Sequence, residues 1–179
     1  MTTLTIAILA GGKSSRMGQN KALLRIGEYP IIEHVIATAT LLSPSELVIV
    51  TNTPQDYLHL GYRMETVLTL ACDLPFVHPD LLKMLVDEFQ KGDYQAVIPR
   101  VESYPQGVLA IYHQGCLPYF ESAIQNDQRK LKMIFNQLER VAYLDESRWQ
   151  SIDPQGRSFI NINTPDDLKS ARSLWQDLN

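Results

Sequence analysis

The segment at residues 9–21 has the composition of a phosphate-binding loop. It reads Leu-Ala-Gly-Gly-Lys-Ser-Ser-Arg-Met-Gly-Gln-Asn-Lys and places Lys13, Arg16 and Lys21 within nine residues. Glycines allow backbone amides to turn towards an anion, while lysine and arginine supply the charges that bind a triphosphate. The segment fits neither a Walker loop nor the dinucleotide-binding glycine pattern. We interpret it as a triphosphate-binding loop; the alternative is a solvated glycine loop.

A single carboxylate follows the apolar residues of Leu70–Pro75. Asp73 stands where this predicted strand ends, and the carboxyl ends of parallel strands open into the crevice in which such sheets bind ligands. One carboxylate is enough to hold Mg²⁺ when phosphate and water supply the other oxygens. We therefore predict Asp73 as a Mg²⁺ ligand, with a turn or cap aspartate as the alternative. The neighbouring Cys72 has no basic partner nearby in sequence and is interpreted as a packing residue.

Asparagines alternate with an apolar residue in the segment Asn161–Pro165. The carboxamide oxygen of Asn163 is a weaker candidate ligand for the same metal, and Thr164 is predicted to cap the following helix. Turn hydrogen bonds explain both asparagines equally well. A basic stretch formed by Arg129, Lys130 and Lys132 could meet a second anionic substrate, although such a stretch is more often a solvated helix face.

The hydrophobic pattern predicts the elements that must position these segments. Strands are expected at Leu4–Leu9, Leu47–Val50, Val67–Ala71, Ala96–Pro99, Val108–His113, Val141–Leu144 and Phe159–Ile162. Helices are expected at Pro30–Leu42, Pro79–Phe89, Cys116–Ile124, Arg129–Leu138 and Pro165–Leu178. This alternation predicts an α/β fold with three α/β/α layers and a mostly parallel, Rossmann-like sheet.

Length and composition limit the class of protein. The 179 residues suit one domain, 1–179, and 45% apolar with 20% charged residues excludes a disordered chain. Two cysteines, no basic and apolar leader and no long apolar run favour a protein of the reducing cytoplasm with no membrane association. A formal charge of -4 argues against nucleic acid as a partner.

Taken together, the three segments resemble the molybdenum cofactor guanylyltransferases, within the nucleotide-diphospho-sugar transferase fold. The resemblance rests on Leu9-Ala-Gly-Gly-x3-Arg16-Met-Gly-x2-Lys21, Cys72-Asp73-Leu-Pro75 and Asn161-Ile-Asn163-Thr-Pro165, in this order. It implies transfer of GMP from GTP to Mo-molybdopterin with release of pyrophosphate, and Mg²⁺ as cofactor. We expect a monomer that makes transient contacts with molybdoenzymes or other cofactor-biosynthesis proteins. A cytidylyltransferase for the same pterin and a sugar-phosphate nucleotidyltransferase are the alternatives.

The resemblance also implies residue roles. Catalytic roles fall on Arg16, Lys21 and Asp73, with Asp73 and more weakly Asn163 on the metal. The nucleotide would be bound by Leu9, Ala10, Gly11, Gly12, Lys21, Asn52 and Asp73.

Two departures from the family pattern stand in the sequence. Asn20 occupies a position where the family often has an acidic residue before the lysine. Only residues 52–66 separate the second strand from the third, and they contain neither the Gly-Pro-Leu type loop nor the aspartate that the family carries near the nucleotide. We therefore predict that a nucleotide-binding loop is missing between Arg63 and Met64. If that loop is truly absent, the chain could instead be a non-catalytic nucleotide-binding regulator.

Overall fold

The computed structural model describes residues 4–10, 21–50, 66–128 and 130–178. The strands are β1 (Leu4–Leu9), β2 (Arg25–Ile26), β3 (Tyr29–Pro30), β4 (Glu46–Val50), β5 (Thr66–Ala71), β6 (Ala96–Val101), β7 (Tyr104–Pro105), β8 (Leu109–His113) and β9 (Val141–Leu144). The α-helices are α1 (Ile31–Thr40), α2 (Pro79–Lys91), α3 (Leu117–Gln125), α4 (Leu131–Phe135), α5 (Glu146–Trp149) and α6 (Pro165–Leu178). Short 3₁₀ turns cover Lys21–Leu23, Gln114–Cys116 and Arg157–Phe159.

The central sheet has the strand order β4-β1-β5-β8-β6, and both β7 and β9 pair with β6. Strand β1 is parallel to both β4 and β5, and β6 is parallel to β9. Strand β8 is antiparallel to β5 and to β6, so β6 runs in the same direction as β5. The prediction of a mostly parallel sheet is thus confirmed, and β1, β5 and β6 end at the same edge.

Helices pack on both faces of this sheet because its strands carry apolar side chains on both faces. On one face, Ile6 and Ile8 of β1 share a fully buried core with Leu81 and Leu85 of α2, and α1 joins the same core. On the other face, residues of β6 and β8 pack against α3 and α4 in a core that contains Tyr112. The predicted three layers are present.

A third, smaller core attaches α6 to the hairpin β2–β3. Ile26 and Ile31 pack there with Ile162, Leu168 and Ala171. The hairpin turns at Gly27, which has a φ of 61°, a backbone conformation that glycine adopts without strain. This core brings the hairpin that follows Lys21 next to the segment Asn161–Pro165, because Ile162 belongs to it.

Most predicted elements agree with the structure, with three corrections. The strand predicted at Phe159–Ile162 is wrong, because Arg157–Phe159 is a 3₁₀ turn and Ile162 is buried against α6 instead of in a sheet. The helix predicted at Arg129–Leu138 is confined to Leu131–Phe135, with residue 129 outside the described part. The sequence analysis also missed α5 and the hairpin β2–β3. Among the described helices, none has the length and apolar character needed to cross a membrane.

Candidate functional site

Asp73 is held in a tight turn directly after β5. The backbone amide of Cys72 donates to the Leu9 carbonyl at 3.0 Å, which ties this turn to the end of β1. The amide of Leu74 donates to the Ala71 carbonyl at 3.3 Å and closes the turn. The Asp73 side chain is only 12% exposed. The fold therefore places this carboxylate at the carboxyl edge of the parallel strands, as the sequence predicted.

Lys21 opens the 3₁₀ turn that precedes the hairpin β2–β3. The next residue, Ala22, is buried in the core that β1 shares with α1 and α2, which we call the main core. The amide of Leu24 donates to the Lys21 carbonyl at 3.1 Å. The hairpin is fixed in turn by α6, where Nε of Arg172 donates to the Arg25 carbonyl at 3.0 Å. The backbone from Lys21 onwards is thus anchored, and the Lys21 side chain is 20% exposed.

Asn163 lies between the 3₁₀ turn Arg157–Phe159 and α6. The amide of the preceding Ile162 donates to the Asp73 carbonyl at 3.1 Å, so this segment runs directly beside the Asp73 turn. Thr164 caps α6 as predicted, because its Oγ1 accepts from the Asp167 amide at 3.1 Å. Pro165 fits the first helical position, where no amide donor is needed.

The three side chains meet although they are far apart in sequence. The ammonium of Lys21 forms an ion pair with Oδ2 of Asp73 and donates to Oδ1 of Asn163 at 3.1 Å. These contacts join positions 52 and 142 residues apart. We call Lys21, Asp73 and Asn163 the polar cluster. One cation and two oxygen ligands at the carboxyl edge of a parallel sheet can bind phosphate and a hard metal ion together.

The polar cluster leaves one oxygen available. Oδ1 of Asp73 is buried and has no hydrogen-bond partner among the described residues. The described residues contain no group of three or more His, Cys, Asp or Glu side chains that could hold a metal by themselves. A carboxylate oxygen without a partner is the kind of ligand that Mg²⁺ uses, since this ion binds proteins through one or two oxygens and takes its other ligands from phosphate and water.

The described residues also form a largely apolar cavity of about 450 Å³, and its lining includes none of the three residues of the polar cluster. Leu9 forms part of its wall together with Val67 and Thr69 of β5, and Tyr112 and Phe120 close the other side. Such a lining cannot compensate the charge of a triphosphate. Phosphate chemistry is therefore better placed at the polar cluster than in this apolar cavity.

Cys72 is buried at 3% exposure next to Asp73. Burial, and then the negative charge of Asp73, raises the pKa of the Cys72 thiol to about 11. A thiol with this pKa is protonated at neutral pH and is a poor nucleophile. The structure thus agrees with the interpretation of Cys72 as a packing residue.

The same reasoning gives a prediction for both cysteines. Burial also raises the pKa of Cys116 to about 11, and the thiol is 1% exposed. Since thiolate forms only as the pH rises through these values, we expect the folded protein to react with Ellman's reagent only in trace amounts at pH 7.5. Both thiols should react fully in guanidinium. Rapid labelling of Cys72 in the folded protein at neutral pH would contradict the assignment.

The remaining predicted site residues divide into two groups. Leu9 ends β1 and Ala10 packs against the main core, so both lie at the edge where the polar cluster stands. Gly11, Gly12, Lys13, Arg16, Asn20 and Asn52 lie outside the described residues, as do Arg63 and Met64. Lys130 is exposed directly before α4, and among the described residues its side chain forms no ion pair or hydrogen bond with the polar cluster.

The sequence analysis missed Asp167. Its Oδ2 accepts from the amides of Asn163 at 2.9 Å and Thr164 at 2.8 Å. These hydrogen bonds, first that of Asn163, lower the pKa of Asp167 below its ordinary value. The spacing Thr164-x-x-Asp167 is that of a capping box with aspartate as the acid, and it could have identified the residue.

The sequence matches the MobA-like NTP transferase domain at residues 6–66 and 59–141. The chain belongs to this family. A Pelotomaculum thermopropionicum protein named "Probable molybdenum cofactor guanylyltransferase" is 31% identical, and the alignment covers 99% of this chain and 96% of that protein. The resemblance seen in the sequence motifs is therefore confirmed.

Solved structures agree with the family assignment. The molybdopterin-guanine dinucleotide biosynthesis protein A of Archaeoglobus fulgidus superimposes with a TM-score of 0.77 at 25% identity, covering 97% of this chain and 99% of that one. The 4-diphosphocytidyl-2C-methyl-D-erythritol synthase of Anaerococcus prevotii gives 0.67 at 14% identity, covering 97% and 98%, a likeness of fold. The nucleotide-diphospho-sugar transferase type of fold is confirmed.

The chain is shorter than its relatives in one respect. The alignment with the Pelotomaculum protein spans 201 positions, whereas the whole chain has 179 residues, so at least 22 positions have no counterpart here. The two family matches meet at residues 59–66, immediately before β5. This is consistent with the loop predicted to be missing between Arg63 and Met64.

Proposed function

We propose that the protein transfers GMP from GTP to Mo-molybdopterin, producing molybdopterin guanine dinucleotide and pyrophosphate. Family membership supports nucleotidyl transfer, and the names of the similar proteins support guanine and molybdopterin as the substrates. The observation that carries the proposal is the convergence of Lys21, Asp73 and Asn163 from three distant segments of the chain.

The chemistry required matches the polar cluster. A phosphate oxygen of the pterin forms a new bond to the α-phosphorus of GTP while the bond to pyrophosphate breaks. Two anions must approach each other, so charge neutralisation and in-line placement contribute more than acid or base catalysis. In the proposed reaction the Lys21 ammonium binds phosphate oxygens, and Arg16 supplies a second cation.

Asp73 and Asn163 are the residues that would hold Mg²⁺. The unpartnered Oδ1 of Asp73 supports the first assignment, and the exposed carboxamide of Asn163 supports the second, weaker one. When bound, Mg²⁺ offsets negative charge on the phosphates. The backbone of Leu9, Ala10, Gly11 and Gly12 is proposed to line the nucleotide, with Asn52 as a further contact.

The other features of the proposal follow from the sequence. We propose that the whole chain, 1–179, acts as one nucleotidyltransferase domain, since α6 packs on the hairpin that follows Lys21. Two free, buried cysteines support a reducing cytoplasm as its location. A monomeric state and transient contacts with molybdoenzymes or other cofactor-biosynthesis proteins complete the proposal.

The test is a nucleotide panel with Mo-molybdopterin as acceptor. We expect pyrophosphate release and dinucleotide formation with GTP, and little with CTP, ATP or UTP. EDTA should stop the reaction and Mg²⁺ should restore it, because a metal that offsets phosphate charge is required. A preference for CTP would favour the cytidylyltransferase alternative, and activity only with sugar phosphates would favour the third enzyme class.

A second candidate function is favoured by one observation. At least 22 positions of the alignment with the Pelotomaculum protein have no counterpart in this chain, which suits a nucleotide-binding protein without catalysis. Tight GTP binding without any turnover under the conditions of the panel would support this alternative. Turnover of GTP with molybdopterin would exclude it.

A further inference from the structure

We propose that Asp167 is a positioning residue for the polar cluster and acts on Lys21 through Asn163. The inference rests on the proposed function, in which Lys21 and Asn163 belong to the nucleotide site. The Asp167 carboxylate accepts hydrogen bonds from the backbone amides of Asn163 and Thr164, so its proposed role is indirect and not catalytic.

The first step is the double hydrogen bond of the Asp167 carboxylate. In a helix cap, the Thr164 hydroxyl oxygen accepts a hydrogen bond from the Asp167 amide. A capping box adds a second hydrogen bond, from the Thr164 amide to the Asp167 carboxylate. Both contacts are present, at 3.1 Å and 2.8 Å. The bond from the Asn163 amide to the same carboxylate oxygen, at 2.9 Å, lies outside the helix and goes beyond what capping requires.

The second step links this bond to the site. Two hydrogen bonds hold the backbone at Asn163. The amide of the preceding Ile162 donates to the Asp73 carbonyl at 3.1 Å, and the Asn163 amide donates to the Asp167 carboxylate. With its backbone held at these two places, the Asn163 carboxamide lies 3.1 Å from the Lys21 ammonium. Loss of the Asp167 bond frees the peptide that carries this carboxamide.

The third step is the effect on Lys21. Its ammonium is shared between Asp73 and Asn163, two oxygens of different charge. When Asn163 moves away, Lys21 loses a neutral partner and its pairing shifts towards the Asp73 carboxylate. An ammonium held more tightly by Asp73 is less available to phosphate, and the carboxylate is less available to a metal ion. Asp167 thus favours the arrangement from which nucleotide binding can proceed.

Asp166 offers a matched control in the same helix turn. It is acidic, lies in the first turn of α6 and is exposed, so it experiences the same helix dipole as Asp167. No hydrogen bond connects it to the Asn163 backbone within the described part of the chain. Comparing Asp166→Ala with Asp167→Ala therefore separates a general helix effect from the specific bond to Asn163.

The experiment is a double-mutant cycle on the full chain. We expect Asp167→Ala to lower kcat/KM for GTP about 10-fold, the range seen when outer groups that orient ligands are removed. In an Asn163→Ala background the same change should cost less than about two-fold, because the carboxamide through which it acts is gone. Asp167→Asn, which keeps an acceptor oxygen, should recover part of the loss, and Asp166→Ala should cost less than about two-fold in both backgrounds.

A merely structural role predicts a different result. Loss of helix capping lowers the thermal midpoint equally in the presence and absence of the Asn163 side chain, and any activity loss would then be equal as well. An equal loss of kcat/KM in both backgrounds, or an equal loss from Asp166→Ala, would overturn the proposal.

The cycle also distinguishes its own failure from failure of the proposed function. The dissociation constant of each Mg-nucleotide is measured beside turnover. If the protein binds a triphosphate without transferring GMP, the proposed function fails. The proposal for Asp167 still stands in that case if the dissociation constant of the Mg-nucleotide shows the same coupling between the substitutions at positions 163 and 167. If no triphosphate binds, both proposals are overturned.

Discussion

Asp73→Asn is expected to reduce GMP transfer by roughly 100-fold or more while leaving the fold intact. An amide is nearly the same shape as a carboxylate but is a poor ligand for a hard cation. It can still accept a hydrogen bond from Lys21, so the change in the free energy of unfolding should stay within about 1–2 kcal/mol. Activity is measured by pyrophosphate release at saturating Mg²⁺, and stability by thermal unfolding.

Asp93→Asn is the matched control for this substitution. Its side chain is 91% exposed and forms an ion pair with Arg140 at 3.4 Å on the surface. Removing the same charge there should leave both activity and stability nearly unchanged. Wild-type turnover in Asp73→Asn would remove Asp73 from the proposed metal site.

The parallel part of the fold was predictable because its strands are uninterrupted apolar runs. The runs at residues 4–9 and 66–71 lie between covered faces, and they appear as the neighbouring parallel strands β1 and β5. Helix α6 has its predicted bounds because Thr164 and Pro165 define its start locally. Where a local rule fixes an element, the sequence and the structure agree.

Elements fixed by distant contacts were not predictable in the same way. The apolar character of Phe159–Ile162 suggested a strand, yet Ile162 is buried because it packs with Leu168 beneath α6. Strand β8 is antiparallel to its neighbours, and nothing in its own residues indicates direction. Such features depend on the position of other segments, which periodicity does not report.

In the candidate site, single residues could be predicted from the sequence, but the contacts between them could not. Residue type and position in the three motifs indicated Lys21, Asp73 and Asn163 as separate candidates. Their mutual contacts could not be predicted, because the order of the strands and the packing of α6 bring them together. Asp167 was overlooked since its role depends on the Asn163 backbone conformation, although the capping spacing was visible in the sequence.

Lys21→Ala is expected to weaken the binding of Mg-GTP and to lower kcat together. A charged hydrogen bond to phosphate is worth roughly 1.5 to 3 kcal/mol, which corresponds to about 10- to 150-fold in affinity. The substitution also leaves the buried Asp73 carboxylate without its ion-pair partner, so the site loses phosphate binding and internal charge balance at once. The measurement is the dissociation constant of Mg-GTP and, separately, kcat for GMP transfer.

Lys130→Ala is the control for Lys21→Ala, because it removes the same positive charge from a different part of the protein. Lys130 is exposed before α4, and in the described residues its side chain forms no ion pair or hydrogen bond with the polar cluster. Its removal should leave GTP affinity unchanged within about two-fold, whatever its effect on the pterin substrate. If both substitutions weakened GTP binding equally, general electrostatic attraction would explain the result, and the phosphate site would have to be placed elsewhere than at Lys21.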